Sequence, residues 1–273
     1  MDKLRDPGGC PWDREQTLRT LTPYLLEEAH EVIEAIEAGD AANHCEELGD
    51  LLFQVVFQSR IAREEGKFDF ASVCDAISDK LTRRHPHVFG DVSVSGSREV
   101  VKNWERIKAE ERKEKGEKAR SAIGGVPVGL PALVRAERLT EKASAVGFDW
   151  PETAAVLAKV REELAELTHE LETDARERAA AAPTAARREE TRARIEAELG
   201  DLLFALANLG RFVQVHPEEA LRGTLRRFES RFHHVEARLL EQGRSPREST
   251  LAEMDGYWDE AKKLERKSPS DAP

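Results

Sequence analysis

Glu46-Glu47-Leu48-Gly49-Asp50-Leu51-Leu52-Phe53 returns as Ala197-Glu198-Leu199-Gly200-Asp201-Leu202-Leu203-Phe204, with seven of the eight positions identical. The likeness extends in both directions. Upstream, Leu26-Glu27-Glu28-Ala29-His30-Glu31-Val32 pairs with Arg161-Glu162-Glu163-Leu164-Ala165-Glu166-Leu167 and shares its acidic triplet. Downstream, Lys80-Leu81-Thr82-Arg83-Arg84 pairs with Arg227-Phe228-Glu229-Ser230-Arg231, and Trp104-Glu105-Arg106-Ile107-Lys108 with Trp258-Asp259-Glu260-Ala261-Lys262. Four matches in one order identify a tandem duplication.

Each copy reads as helices. Residues 21–37 place apolar side chains at helical spacing and end at Gly39, which suits the left-handed position after a helix. A second helix is expected over 46–63, with the run 51–57 apolar nearly all round and hence buried among other helices. A third spans 70–84 and stops before Pro86. The expected fold is all-α, a tandem repeat of two helical bundles. The first covers residues 1–112, a charged then Gly- and Pro-rich linker covers 113–131, and the second covers 132–266. Residues 172–191, rich in Ala, Arg and Glu around Pro183, widen the spacing between acidic pairs from 16 residues (Glu31 to Glu47) to 32 (Glu166 to Glu198). They read as an exposed helical or disordered insertion, and 267–273 as a disordered tail.

Composition narrows the function classes. Of 273 residues, 40% are apolar, enough for a core, and 35% are charged, mostly as interleaved Glu with Lys or Arg. A net charge of −11 argues against broad contact with nucleic acid, which needs cations to displace counterions, and leaves room for a small phosphorylated ligand bound through metal. Cys10, Cys45 and Cys74 are too scattered for a zinc motif or a disulfide framework. With no apolar leader and no run of about 18 apolar residues, a soluble, cytoplasmic protein without a membrane segment is expected.

On a helix, residues three or four apart share a face, so Glu28 with Glu31, and Glu47 with Asp50, each point two carboxylates one way. Packing those helices antiparallel gathers four carboxylates, and the second copy does the same with Glu163, Glu166, Glu198 and Asp201. Such a cluster calls for a cation, and oxygen-only ligands select Mg²⁺, with Mn²⁺ as a substitute. A solvated acidic face explains one such pattern alone, but Asp50 and Asp201 both precede strongly apolar runs. Glu27-x-x-His30 and Glu166-x-x-His169 have di-iron spacing, yet they occupy different places in the repeat, so the duplicated feature is carboxylate only. Lys80, Arg83, Arg84, Arg227 and Arg231 offer guanidinium and ammonium groups for phosphate or simply basic helix ends. Trp104 and Trp258 could stack on a base, with Lys108 or Lys262 reaching phosphate, or serve as core aromatics. No Walker, Gly-x-Gly-x-x-Gly, His-Glu-x-x-His or nucleophile-elbow sequence is present.

Asp6-Pro7-Gly8-Gly9-Cys10-Pro11-Trp12-Asp13 with Gln16-Thr17, the two acidic sets, and Arg84-His85-Pro86-His87-Val88-Phe89-Gly90 together resemble MazG, the all-α nucleoside triphosphate pyrophosphohydrolases, over nearly the whole chain. The resemblance implies Mg²⁺-dependent hydrolysis of a nucleoside triphosphate to monophosphate and pyrophosphate, as nucleotide-pool house-cleaning, in a homodimer. It implies metal ligands at Glu163, Glu166, Glu198 and Asp201, with counterparts Glu28, Glu31, Glu47 and Asp50. Nucleotide contacts fall on Lys159, Glu162, Arg194, Arg227, Arg231 and Trp258, and in the first copy on Arg83, Arg84 and Lys108. Glu163 or Glu28 is the expected catalytic carboxylate, orienting the attacking water. Some relatives work through the second domain alone, which favours the second copy. Competing readings are a narrower pyrophosphohydrolase acting on dUTP, dCTP or phosphoribosyl-ATP, and a nucleotide-sensing helical module without turnover.

Overall fold

The computed structural model describes residues 1–114, 121–180 and 184–267. The chain divides into two compact units, Met1–Lys118 and Ala119–Pro273, and the described residues contain helices and no strand. None of these helices is long and apolar enough to cross a membrane. The expected tail, apart from its first residue, and residues 115–120 of the expected linker lie outside the described residues.

The first unit comprises α1 (Asp2–Arg5), α2 (Pro11–Glu15), α3 (Thr22–Ala38), α4 (Ala41–Glu64), α5 (Phe70–Arg84), α6 (Pro86–Phe89) and α7 (Ser97–Glu114). Helices α3 and α4 make a hairpin with a very short turn. Gly39 ends α3 at φ 68°, a conformation that costs a residue with a Cβ. Asp40 then caps α4, its carboxylate accepting from the Ala42 and Asn43 amides at 3.0 Å each. This cap starts α4 five residues before the expected position 46, because residues 41–45 carry little apolar periodicity to announce a helix. The core of the unit gathers Leu21, Phe57 and Ile61, with Met1 against them. Arg5 forks Glu64 at 2.9 and 2.7 Å, fastening the N-terminal segment to the end of α4.

The expectation that 51–57 is buried all round is corrected. Phe57 is fully buried and Gln54 nearly so, but Leu52 (54%) and Phe53 (37%) are exposed. Their counterparts Leu203 and Phe204 are exposed as well. Both copies thus leave the same apolar face of the same helix uncovered.

The second unit comprises α8 (Ala132–Ala145), α9 (Thr153–Ala180), α10 (Ala185–Val213), α11 (Pro217–Leu240) and α12 (Leu251–Lys267), with a 3₁₀ turn at Pro246–Glu248. The described part of the 172–191 insertion lengthens α9 and α10, and Thr191 is buried within it, so the segment is not wholly exposed. Pro183 lies outside the described residues. The two helices are tied by rungs spaced in sevens. Glu177 meets Arg187 at 2.6 Å, and seven residues on in each helix Glu170 meets Arg194 at 2.8 Å. Seven residues further, Glu163 meets Asp201. Seven residues are close to two helical turns, so equal steps in opposite directions mark an antiparallel pair in constant register. Beyond α10 the chain turns sharply: a Cβ on Gly210 would stand 2.6 Å from the Val215 carbonyl oxygen, which restricts that position to glycine.

Candidate metal and phosphate site

The third rung is the one with no cation across it, where carboxylate faces carboxylate. Oxygens of Glu163, Glu198 and Asp201 lie within 4.8 Å of one another, as do those of Glu28, Glu47 and Asp50 in the first unit. Glu163 is buried, at 6% exposure, while Asp201 and Asp50 lie exposed in the single chain. The fourth carboxylates, Glu31 and Glu166, fall outside these close groups and act on them through charge. Loss of solvent raises the Glu47 carboxyl above its ordinary value, reinforced by Glu31 and Asp50. Desolvation likewise raises Glu28, helped by Asp50 and Glu31, and raises Glu166, helped by Glu163. Three converging oxygen donors that repel one another fit a single hard divalent cation. Neither group contains a histidine, which leaves the di-iron spacing unused among the described residues.

The surroundings of the two clusters differ. In the second unit Lys159 sits one turn before the cluster, with its ammonium 2.7 Å from Glu162 and 2.7 Å from Glu163. Glu162 and then Glu163 raise its pKa, so it stays charged. Arg194 lines the neighbouring rung against Glu170. The aligned first-unit positions are Tyr24 and Asn43. There the buried Gln54 donates from Nε2 to Glu28 at 3.5 Å.

The remaining sequence candidates form a separate basic group on the following helices. Arg83 and Arg84 of α5 converge on Glu111 of α7, each at 2.6 Å, and chiefly Arg84 draws that carboxyl down to about 2. Arg231 of α11 forks Glu265 of α12 at 2.7 Å and lowers its pKa. Arg227 donates to Thr224 at 2.9 Å. Lys108 lies 4.6 Å from the Trp104 ring centre, and Arg231 lies 5.6 Å from that of Trp258. Trp258 also packs on Phe228 at 5.1 Å. Glu111 and Glu265 escaped the sequence reading, although each stands seven residues after the repeated tryptophan; carrying the alignment three residues further exposes the pair.

In the comparisons, the family model described as the MazG nucleotide pyrophosphohydrolase domain matches residues 16–89. The nucleoside triphosphate pyrophosphohydrolase of Escherichia coli (strain K12) is 45% identical over 266 residues, covering 97% of this chain and 95% of its own. The nucleoside triphosphate pyrophosphohydrolase/pyrophosphatase MazG of Thermotoga maritima is 45% identical over 262 residues, or 96% and 92% of the two chains. The nucleoside triphosphate pyrophosphohydrolase of Mycolicibacterium smegmatis is 41% identical over 150 residues, spanning 54% of this chain and 45% of its own.

Proposed function

The chain belongs to the MazG family of nucleotide pyrophosphohydrolases, and on that premise we propose that it hydrolyses nucleoside triphosphates to the monophosphate and pyrophosphate at the second-unit cluster. The observation that carries this is the third rung of the α9–α10 hairpin, where Glu163, Glu198 and Asp201 converge beside the charged Lys159. A divalent cation, Mg²⁺ or Mn²⁺, held by these residues with Glu166 nearby would neutralise phosphate oxygens and acidify water.

The chain's own groups supply the rest. Glu163, buried and hydrogen-bonded to Lys159, is held in one orientation and accepts the proton of the water attacking the α-phosphorus. Lys159, Arg194, Arg227 and Arg231 meet phosphate charge; they now sit on Glu162, Glu170, Thr224 and Glu265 and exchange those partners for phosphate. Glu162 frees Lys159 in that exchange, and Trp258 steadies the Arg231 guanidinium. In the first unit, Glu28, Glu31, Glu47 and Asp50 hold a cation in the same manner, and Arg83, Arg84 and Lys108 are its basic group. The exposed apolar side chains Leu52 and Phe53 of α4 and Leu203 of α10 support a homodimer. We assign the protein to the cytoplasm, as a nucleotide-pool house-cleaning enzyme without direct nucleic-acid or membrane contact.

The test is pyrophosphate release over a panel of canonical and damaged triphosphates with Mg²⁺, for wild type, Asp50→Ala and Asp201→Ala. Loss in Asp201→Ala is expected. Full activity in both variants would sink the mechanism, and nucleotide-stabilised melting without any pyrophosphate would replace the enzyme with a sensor.

A further inference from the structure

Beyond the carboxylates, the face of α10 that carries Asp201 continues into a cavity of about 530 Å³ in the second unit. Its wall includes three aromatic rings, Phe148, Trp150 and Phe204, beside the aliphatic Leu139 and the polar side chains Asn208 and Arg211. Phe148 is 83% exposed, so an apolar ring stands open to solvent. Phe204 follows Asp201 by three residues and Asn208 by seven, placing Asn208 about 10 Å along the helix axis from the cluster. That is the reach of a nucleoside whose phosphates rest on the carboxylates.

The Asn208 amide has a fixed direction. Arg211 donates to its Oδ1 from Nε at 3.2 Å and from Nη2 at 3.0 Å. A guanidinium has no acceptor, so the carbonyl must face it and the Nδ2 amino group must turn away. Arg211 is itself gripped by both oxygens of Asp149, one at 2.9 Å. Asn208 is nine-tenths buried, and its Nδ2 has no partner among the described residues. That amino group keeps access to solvent, so it is open to a ligand in the cavity it lines. The first unit lacks the arrangement: the position aligned with Asn208 is Phe57, fully buried against Leu21 and Ile61. The amide therefore does not belong to the shared scaffold.

We propose that this cavity receives the base of the bound nucleotide, lodged among Phe148, Trp150 and Phe204, with Asn208 Nδ2 donating to an acceptor on the base edge. The inference rests on the triphosphate reading above. A lone fixed donor selects a carbonyl oxygen over an amino group at the same ring position, so uracil binds ahead of cytosine and hypoxanthine ahead of adenine.

The experiment uses the full chain with Mg²⁺ and measures equilibrium binding of non-hydrolysable α,β-methylene analogues of UTP and CTP, and of tripolyphosphate as a base-free probe. Asn208→Asp keeps the acceptor for Arg211 and removes the donor. It is expected to weaken the UTP analogue about tenfold, reverse the UTP-to-CTP preference, and leave tripolyphosphate unchanged. Phe148→Ala, at an exposed position, is expected to weaken both analogues alike by several-fold and spare tripolyphosphate. Parallel loss of tripolyphosphate, a preference retained in Asn208→Asp, or unchanged binding in both variants, as when a second copy of the chain fills the cavity, would overturn the proposal. Wild type that binds the analogues with base preference but releases no pyrophosphate refutes the reaction and leaves the base pocket standing.

Discussion

The two units share their carboxylates and differ in what stands next to them. Where the first has Tyr24, Gln54 and Phe57, the second has Lys159, Ala205 and Asn208. In the first unit Phe57 fills the core and Gln54 leans on Glu28, while Tyr24 is exposed. In the second, the Lys159 ammonium stands beside the cluster and Asn208 lines a cavity, with Ala205 buried. Duplication conserved the cluster geometry, and divergence acted on its neighbours. One copy surrounds its cluster with core packing and the other with a lysine and a cavity.

Position 57/208 offers the sharpest way to break this comparison. Phe57→Ala should cost about 3–5 kcal/mol, because it empties a fully packed core position, whereas Asn208→Ala should cost about 1 kcal/mol. Thermal or urea unfolding of both variants checks this, and equal losses would make Asn208 another scaffold residue. Next in size is catalysis. Asp201→Ala should lower kcat/KM for pyrophosphate release about 100-fold or more, close to 3 kcal/mol of transition-state stabilisation, and Asp50→Ala less than about threefold. A larger loss from Asp50→Ala would transfer the chemistry to the first unit.

The basic groups give a smaller contrast. Glu111 holds two arginines and is largely covered, while Glu265 forks Arg231 and is more open. Glu111→Gln should therefore cost about 1–2 kcal/mol near neutral pH, and Glu265→Gln under about 1 kcal/mol. The pH dependence has a definite sign. A carboxyl lowered from 4.5 to about 2 binds its proton more weakly folded than unfolded, so its stabilisation is present above about 4.5 and fades as pH falls toward 2. The melting difference between wild type and Glu111→Gln should shrink over that window; a constant difference would deny the ion pair its role. The smallest effect concerns Gln214, which caps α10 at φ 57°. Gln214→Gly should raise stability by about 0.5 kcal/mol in the same melts.

These contrasts were unequally legible in the sequence. Helices α3 and α5 could be read almost to the residue, since apolar spacing, Gly39 and Pro86 all act locally. Three of the four carboxylates in each copy were legible too, because a spacing of three residues puts Glu47 with Asp50 and Glu198 with Asp201 on one face, while Glu31 and Glu166 fall outside the close groups. The start of α4 was hidden, as a single Asp40 side chain decides it. The Arg84–Glu111, Arg231–Glu265 and Asp149–Arg211–Asn208 contacts span 27, 34 and 62 residues, and no periodicity announces pairings made by tertiary packing. The apolar run 51–57 misled for a related reason: its pattern records an apolar face, without recording that Leu52 and Phe53 stay uncovered in the single chain.

The rungs of seven between α9 and α10 make that hairpin a ruler. Glu177–Arg187 and Glu170–Arg194 repeat one tie at a fixed interval, so the arm can grow or shrink by whole divisions of about 10 Å at its far end. The carboxylates sit at the zero mark and do not shift when divisions are added. A chain built on this plan can change how far it reaches from its carboxylates, toward another molecule or away from one, and keep them in place.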